Sequence, residues 1–451
     1  MKMHLNKDKQ TTYETTTDTL PKPETKVLGR VSAILHLGLP IIIAQIGTIV
    51  QGGADTMMVG QYGTEELSAS GFVNNVFGLI FFFVLGLSYS TTPAVGALWV
   101  NGKRDEARTV LNNSLVLSTV GSLGCLLLLT LLYFNLDRLG QPEELMPLIR
   151  PYFLVCAISL PFVAVFNSFK QYSDATGDTR TPMWVMLMSN VLNIVGNYLL
   201  IFVFDLGLLG AGLATLLSRI FMAVWMWLKV GLGRDVTRNG ILRLTRKALP
   251  VSVQLCLEAG SFNVCALFMG WIGTAALAAH QVMVVIGSHC FMIYSGFGAA
   301  AAIRISHYRG LDDWLEVRKT AYTALVLTLC AGGVITSSVI YMCQPVFAIF
   351  TTSDEVKALL LTLLPAFAAY QVGDASQTIF ANCLRAIEDV KVLMVSSFIA
   401  YIIISLPMAY VFAFRFEMGA TGIWWSFPLG LSSAAVMFWL RFRRELKKKG
   451  I

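Results

Sequence analysis

The chain has 451 residues, 55% hydrophobic and only 14% charged, with a mean hydropathy of +0.65. Soluble domains carry about a quarter charged residues, so this balance excludes an ordinary soluble globular protein and points to a membrane protein. The net charge of +7 does not indicate a nucleic-acid partner, because most Lys and Arg lie in short segments between apolar runs. The eight Cys are scattered, mostly inside apolar runs and without a CxxC pair. They read as small buried residues rather than disulfides or metal ligands. No HExxH, Walker loop or GxSxG motif stands out, which argues against an enzyme and leaves no cofactor to expect.

In chain order, residues 1–30 are polar and Thr-rich (TTYETTTDT) and lack the apolar core of a cleavable signal peptide. They read as a disordered cytosolic tail. Apolar segments of about twenty residues or more then recur, each able to cross a ~30 Å hydrocarbon core. They fall near 31–58, 69–98, 109–134, 146–172, 182–204 and 208–230, and again near 246–271, 277–305, 317–343, 357–386, 392–414 and 419–441. The fold class is therefore all-α, a polytopic membrane protein of twelve transmembrane helices. Lys103, Arg104, Arg108, Lys170, Arg180 and the stretch from Arg234 to Lys247 fall on one face of the membrane. Arg304, Arg309, Arg318, Lys319, Arg385, Lys391 and the tail from Arg441 to Lys449 share that face. The alternate loops carry Glu65, Glu66, Glu143, Glu144, Asp205, Asp354 and Glu355. The positive-inside rule puts both termini in the cytoplasm.

The chain also repeats itself. LGLPIIIAQIGTIVQGGADTMMVGQYGTEELSASG aligns without a gap with KALPVSVQLCLEAGSFNVCALFMGWIGTAALAAHQ, so that Pro40 falls on Pro250, Gly60 on Gly270 and Gly63 on Gly273, an offset of 210. GDTRTPM (177–183) corresponds to EDVKVLM (388–394), and Gly207 and Gly210 to Gly419 and Gly422. Two halves with an even number of spans enter the membrane in the same orientation, giving two pseudo-symmetric six-helix lobes built as parallel repeats. The N-lobe covers 31–230 and the C-lobe 246–445, with 231–245 as a cytosolic linker and 446–451 as a basic cytosolic tail.

Ionisable groups inside apolar spans are costly and mark functional sites by default. Glu258 lies near the middle of the seventh span, and Gln254, Glu258 and Ser261 share one helical face. In the tenth span Tyr370, Asp374, Gln377 and Thr378 form a second polar stripe. The first span carries Gln45, Thr48, Gly52 and Asp55, and the fifth Asn190, Asn193 and Asn197. The acids break the repeat, since Glu258 falls opposite Thr48 and Asp55 opposite Cys265. Oxygen-rich faces suit Na⁺, which must exchange its water for protein oxygens. The alternative ion is H⁺, carried on a desolvated carboxylate.

These residues carry a resemblance. The chain resembles the multidrug and toxic compound extrusion (MATE) transporters, in their NorM-like branch. The matching residues are LPV…E…G…AAHQ (249–281), P…D…VG…G (40–63), YQVGDASQTIFANCLR (370–385) and GDTRTPM. The likeness runs from about residue 31 to 445. It implies a V-shaped cavity between the lobes and efflux of cationic, amphipathic drugs or dyes by alternating access, driven by Na⁺ or H⁺ entry. It further implies a monomer in the cell inner membrane. Glu258 and Asp374 match the cation-site acids of that branch, with Tyr370 one turn away, so these two carboxylates are the expected Na⁺ ligands. Asp55 matches a first-helix acid tied to proton coupling or substrate binding, and Asn193, Asn197 and Gln45 join it as candidates. Two departures stand out. Proton-coupled relatives of the DinF-like branch pair the first-helix aspartate with an aspartate on the fifth helix, whereas the nearest residue here is Asn197. That favours Na⁺ at the C-lobe acids. EDVK at 388–391 stands where the family more often has Gly-Asp-Thr.

Plainer readings compete for each residue. Glu258 and Asp374 could be structural acids, paired with a buried base or permanently protonated. Asp55 sits within reach of water near its helix end. Arg219 in the sixth span reads better as a neutralising charge than as a drug ligand, and His289 in the eighth as a packing residue. The Asn row could join helices by hydrogen bonds. A lipid-linked oligosaccharide flippase of the same superfamily and a small-solute symporter share the architecture. The flippase would be expected to carry several cavity cations, for which only Arg219 is available.

Overall fold

The computed structural model describes residues 27–140 and 142–451. Most of the expected N-terminal tail, 1–26, lies outside them, but Val27 to Arg30 already belong to the first helix. Twelve helices are long and apolar enough to cross a membrane. They are α1 (Val27–Tyr62), α2 (Thr64–Val100), α3 (Arg104–Tyr133), α4 (Glu143–Ala175), α5 (Arg180–Val203) and α6 (Gly207–Val230), followed by α7 (Arg238–Ile272), α8 (Thr274–Gly310), α9 (Trp314–Tyr341), α10 (Asp354–Ala386), α11 (Lys391–Arg415) and α12 (Gly419–Lys448). No strand occurs among the described residues. Lipid offers no hydrogen bonds to the backbone, so a spanning chain satisfies its own peptide groups as helix. Several helices run past the apolar stretch that announces them. α7 starts at Arg238, inside the segment expected to be linker, and its first turns are polar.

The repeat survives in fine detail. α5 ends in a π-helical turn, Tyr198–Val203, and α11 in another, Val411–Arg415. Each is followed by a left-handed acid, Asp205 (φ 56°) or Glu417 (φ 56°), and then a left-handed glycine, Gly207 or Gly419. The widened turns let the next helix press against open backbone. A Cβ on Gly210 would lie 2.7 Å from the Leu200 carbonyl carbon, and one on Gly422 2.7 Å from that of Phe412. Gly422→Ala is therefore expected to cost about 1–3 kcal/mol as overpacking against backbone. It should lower the thermal unfolding midpoint in detergent, which circular dichroism melts would read. An unchanged midpoint would show that this contact yields freely.

The lobes join through exchanged helix pairs. α1 packs on α8, and α2 on α7 and α8. The contacts gather toward one end, which holds the basic residues and both chain ends of the bundle. There Arg309 Nη2 donates to the Pro93 carbonyl (2.9 Å), His307 Nε2 to that of Ala175 (2.7 Å) and Asn101 Nδ2 to that of Gly310 (2.8 Å). The Arg30 guanidinium grips both Glu316 oxygens at 2.9 and 3.0 Å, buried between α1 and α9. A Cβ on Gly86 would fall 2.5 Å from Ser252 Cα, and one on Gly310 2.7 Å from Ala97 Cα. Farther along the same helices, Gly52 on α1 and Gly260 on α7 meet nothing within 4 Å. The lobes are thus closed on each other at the basic end and open farther out.

Candidate functional site

The C-lobe cluster forms at the level where that closure stops. Ser252 on α7 donates to the Phe83 carbonyl of α2 (2.9 Å) within the tight zone. Glu258 follows six residues later, about 9 Å along the helix at 1.5 Å per residue. It is half-buried. Its Oε2 accepts from Gln254 Nε2 at 3.0 Å, one turn back on α7, and from Gln377 Nε2 at 3.1 Å, across on α10. Gln377 also donates to the Tyr401 hydroxyl (2.9 Å) and its own oxygen accepts from Thr378 (3.2 Å). Hydrogen bonds to a charged carboxylate are worth about 1.5–3 kcal/mol each, so two amides hold Glu258 firmly in one orientation.

Asp374 sits one turn before Gln377 on the same face of α10 and is 2% exposed. It lies within electrostatic reach of Glu258, with the Tyr370 and Thr378 hydroxyls beside it. Its Oδ2 has no hydrogen-bond partner. A buried orphan carboxylate oxygen is expensive and marks a place for a proton, a water or a cation. An aromatic wall closes the inner side. Tyr370 packs edge-on against Phe262 (6.3 Å) and Trp424 (6.0 Å), and Phe262 stacks on Phe427 at 4.6 Å. His280 of the AAHQ motif is buried in the same wall, 5.8 Å from Trp424.

The positive charge comes from Arg385. Charge alternation assigns it to the basic face, and it lies in the last turn of α10, which ends at Ala386. Its Nη2 donates to Gln254 Oε1 at 2.6 Å, and its guanidinium lies 5.3 Å from the Tyr89 ring of α2. Arg385 therefore reaches Glu258 through one glutamine and touches the other lobe at the turn where α2 breaks after Ser88.

A second cluster occupies the N-lobe. Asp55 Oδ1 accepts from Asn197 Nδ2. Asn193 Oδ1 accepts a long 3.4 Å bond from Asn197, and Asn193 Nδ2 donates to Thr215 Oγ1 at 3.3 Å. Asn193 and Asn197 are fully buried, so the row both links helices and holds the acid. Arg219 lies within electrostatic reach of Asp55, bonds Ser159 and faces the Phe81 ring at 5.9 Å. Gln45, ten residues before Asp55, is half-buried and stands apart from this network. His289 is exposed and donates to the Val285 carbonyl of its own helix (2.7 Å), away from the C-lobe acids.

Tyr401 and Arg385 are the members of the C-lobe cluster that sequence reading passed over. Tyr401 lies in the π-helical stretch Phe398–Ser405 and is buried to 2%. No polar stripe announces it. Arg385 was detectable as the last residue of the YQVGDASQTIFANCLR motif. Among the described residues no three His, Cys, Asp or Glu side chains converge as a metal site. A cation at Glu258 and Asp374 would find the Tyr370 and Thr378 hydroxyls beside it, while the Gln254 and Gln377 amides present their N–H groups to Glu258.

The MatE family model matches residues 40–199 and again 250–411. The two matches start at Pro40 and Pro250, the same spacing as the internal repeat. The chain is 29% identical to a probable multidrug resistance protein NorM of Bradyrhizobium diazoefficiens over 93% of this chain and 95% of that one. It is 25% identical to the multidrug resistance protein NorM of Photobacterium profundum over 91% and 94%. The crystal structure of a mutant of the Vibrio cholerae MATE transporter VcmN superposes with a TM-score of 0.87 at 20% identity, covering 94% of this chain and 99% of that one. With both halves matched, the chain belongs to the MatE family of MATE transporters, in its NorM-like branch.

Proposed function

We propose that the protein is a secondary active multidrug exporter, acting as a monomer in the inner membrane with its basic end in the cytoplasm. It exchanges cationic, amphipathic compounds for Na⁺ by alternating access between the lobes, with H⁺ as the alternative ion. One observation carries this reading. Two carboxylates, Glu258 and the orphaned Asp374, lie within electrostatic reach of each other with the Tyr370 hydroxyl beside Asp374, immediately beyond the zone where the lobes seal. An ion entering from the open side reaches them at the depth where the lobes close. Arg385 stands on the sealed side of Glu258, where its charge opposes further passage of a cation.

Asn197 at the side of Asp55 supports Na⁺ at the C-lobe, because an amide cannot take part in a carboxyl proton relay. The Asp55 cluster, with its flanking aromatic surface, then serves the drug. Only a ligand with different affinities for two states shifts their balance. Ion occupancy must therefore favour the drug-releasing state, and coupling of ~1–3 kcal/mol per ligand biases such an exchange. The test is dye efflux from energised vesicles with a Na⁺ gradient and a pH gradient imposed separately. Efflux driven by Na⁺ alone is expected. Efflux driven only by the pH gradient reassigns the ion, and efflux under neither rejects the exchange.

A further inference from the structure

At the basic end a cleft of about 530 Å³ opens between the first turns of α7 and the turn joining α10 to α11. Arg243, Arg246, Lys247, Glu388, Asp389 and Lys391 supply its charged walls. Both acids are already engaged. Glu388 pairs with Lys247 and with Arg309 (3.3 Å), and Asp389 with Arg441 (2.5 Å). Burial alone would raise the Glu388 pKa, but Arg309 and Lys247 outweigh it and hold the carboxyl below its usual range. It stays charged and keeps Lys247 occupied. Arg243, Arg246 and Lys391 are exposed, and no acid among the described residues pairs with them.

The repeat explains why this is unusual. Lys391 occupies the place of Arg180, and Arg246 the place of His36. In the first half those two residues satisfy each other, Arg180 Nη2 meeting His36 Nε2 at 3.0 Å. In the second half both positions hold permanent cations, and Arg243 adds a third where the first half has Ala33. Like charges turned toward one cleft repel unless an anion sits between them. Guanidinium pairs match the oxygens of phosphate, and the volume is in the range of small-ligand sites. Leu242 in the cleft and Leu249 just beyond it are about half-exposed, at 48% and 46%. Apolar surface beside basic groups at the end of a membrane span suits a lipid headgroup better than a free anion.

We propose that this cleft binds a phosphate-bearing anion, the headgroup of an anionic phospholipid. The site is separate from the Glu258 cluster and does not depend on which ion drives transport. Native mass spectrometry of the full chain in detergent tests it, titrating phosphatidylglycerol against phosphatidylcholine. The wild-type chain is expected to retain phosphatidylglycerol preferentially. The triple variant Arg243→Gln, Arg246→Gln, Lys391→Gln should bind it roughly a hundredfold more weakly, the loss expected of three basic groups at a membrane surface, with phosphatidylcholine unaffected. Equal retention by the variant overturns the proposal. Displacement of the lipid by millimolar inorganic phosphate reassigns the cleft to a soluble anion and overturns the lipid assignment. Should the triple variant fold poorly, Lys391→Gln alone, at an exposed turn, is expected to weaken retention about fivefold; unchanged retention there counts against the site.

Discussion

Replacing Asp374 with Asn is expected to abolish ion-driven efflux while leaving the amount of protein in the membrane unchanged. The substitution keeps the shape of the side chain and removes only its charge and its capacity to bind a proton or cation. Asp374 Oδ2 has no partner in the fold, so the structure loses little when it becomes an amide. The proposed coupling site loses one of its two carboxylates. Efflux from vesicles under an imposed Na⁺ gradient should fall at least tenfold, a change in activation or coupling free energy of about 1.4 kcal/mol or more. A purely structural acid would give the opposite pattern, with lower protein levels and normal efflux per molecule. Unchanged efflux in the variant sinks the assignment of the coupling site.

Gly86→Val should be nearly as damaging, through a different cause. The first atom of the new side chain would lie 2.5 Å from Ser252 Cα and 2.7 Å from Ser252 N, and neither backbone atom can rotate away. α2 and α7 belong to different lobes, so the clash is relieved by parting the lobes at the basic end. That costs about 1–3 kcal/mol as overpacking and removes the closed state that the proposed exchange cycle requires. Transport is expected to drop at least tenfold. Spin labels at the exposed positions Lys103 and Arg318, one in each lobe, should report a longer distance across the basic end. An unaltered distance with normal transport would show that the close contact is not needed for closure.

The two clusters of polar residues give the symmetric scaffold an asymmetric chemistry. Thr48, the twin of Glu258, bonds the Ala44 carbonyl of its own helix at 3.2 Å, and Cys265, the twin of Asp55, is fully buried. The helical frame tolerates either residue at each place. The acids are therefore additions to the frame rather than parts of it, and each lobe holds its own acid with its own amides.

Hydrophobic length and charge alternation determine the twelve spans, because a helix that must satisfy its backbone in lipid needs about twenty apolar residues and nothing more specific. The repeat is legible for a similar reason. Gly210 and Gly422 sit where backbones press together, and Pro40 and Pro250 are buried inside their helices, so these positions are restricted in both halves. Helical spacing also puts Gln254 beside Glu258, and Asp374 beside Gln377, since those pairs are local. Contacts between helices are another matter. That Gln377 reaches over to Glu258, that Asn197 grips Asp55, and that Tyr401 joins the C-lobe cluster depend on how helices rotate and cross. No period in one sequence encodes that rotation. Arg385 is the sharpest case. Its position at the end of α10 and its charge match the basic face, yet a guanidinium on a long flexible stem reaches back to Gln254 and across to Tyr89. Composition decided which residues enter the membrane, and only packing decided which of them meet.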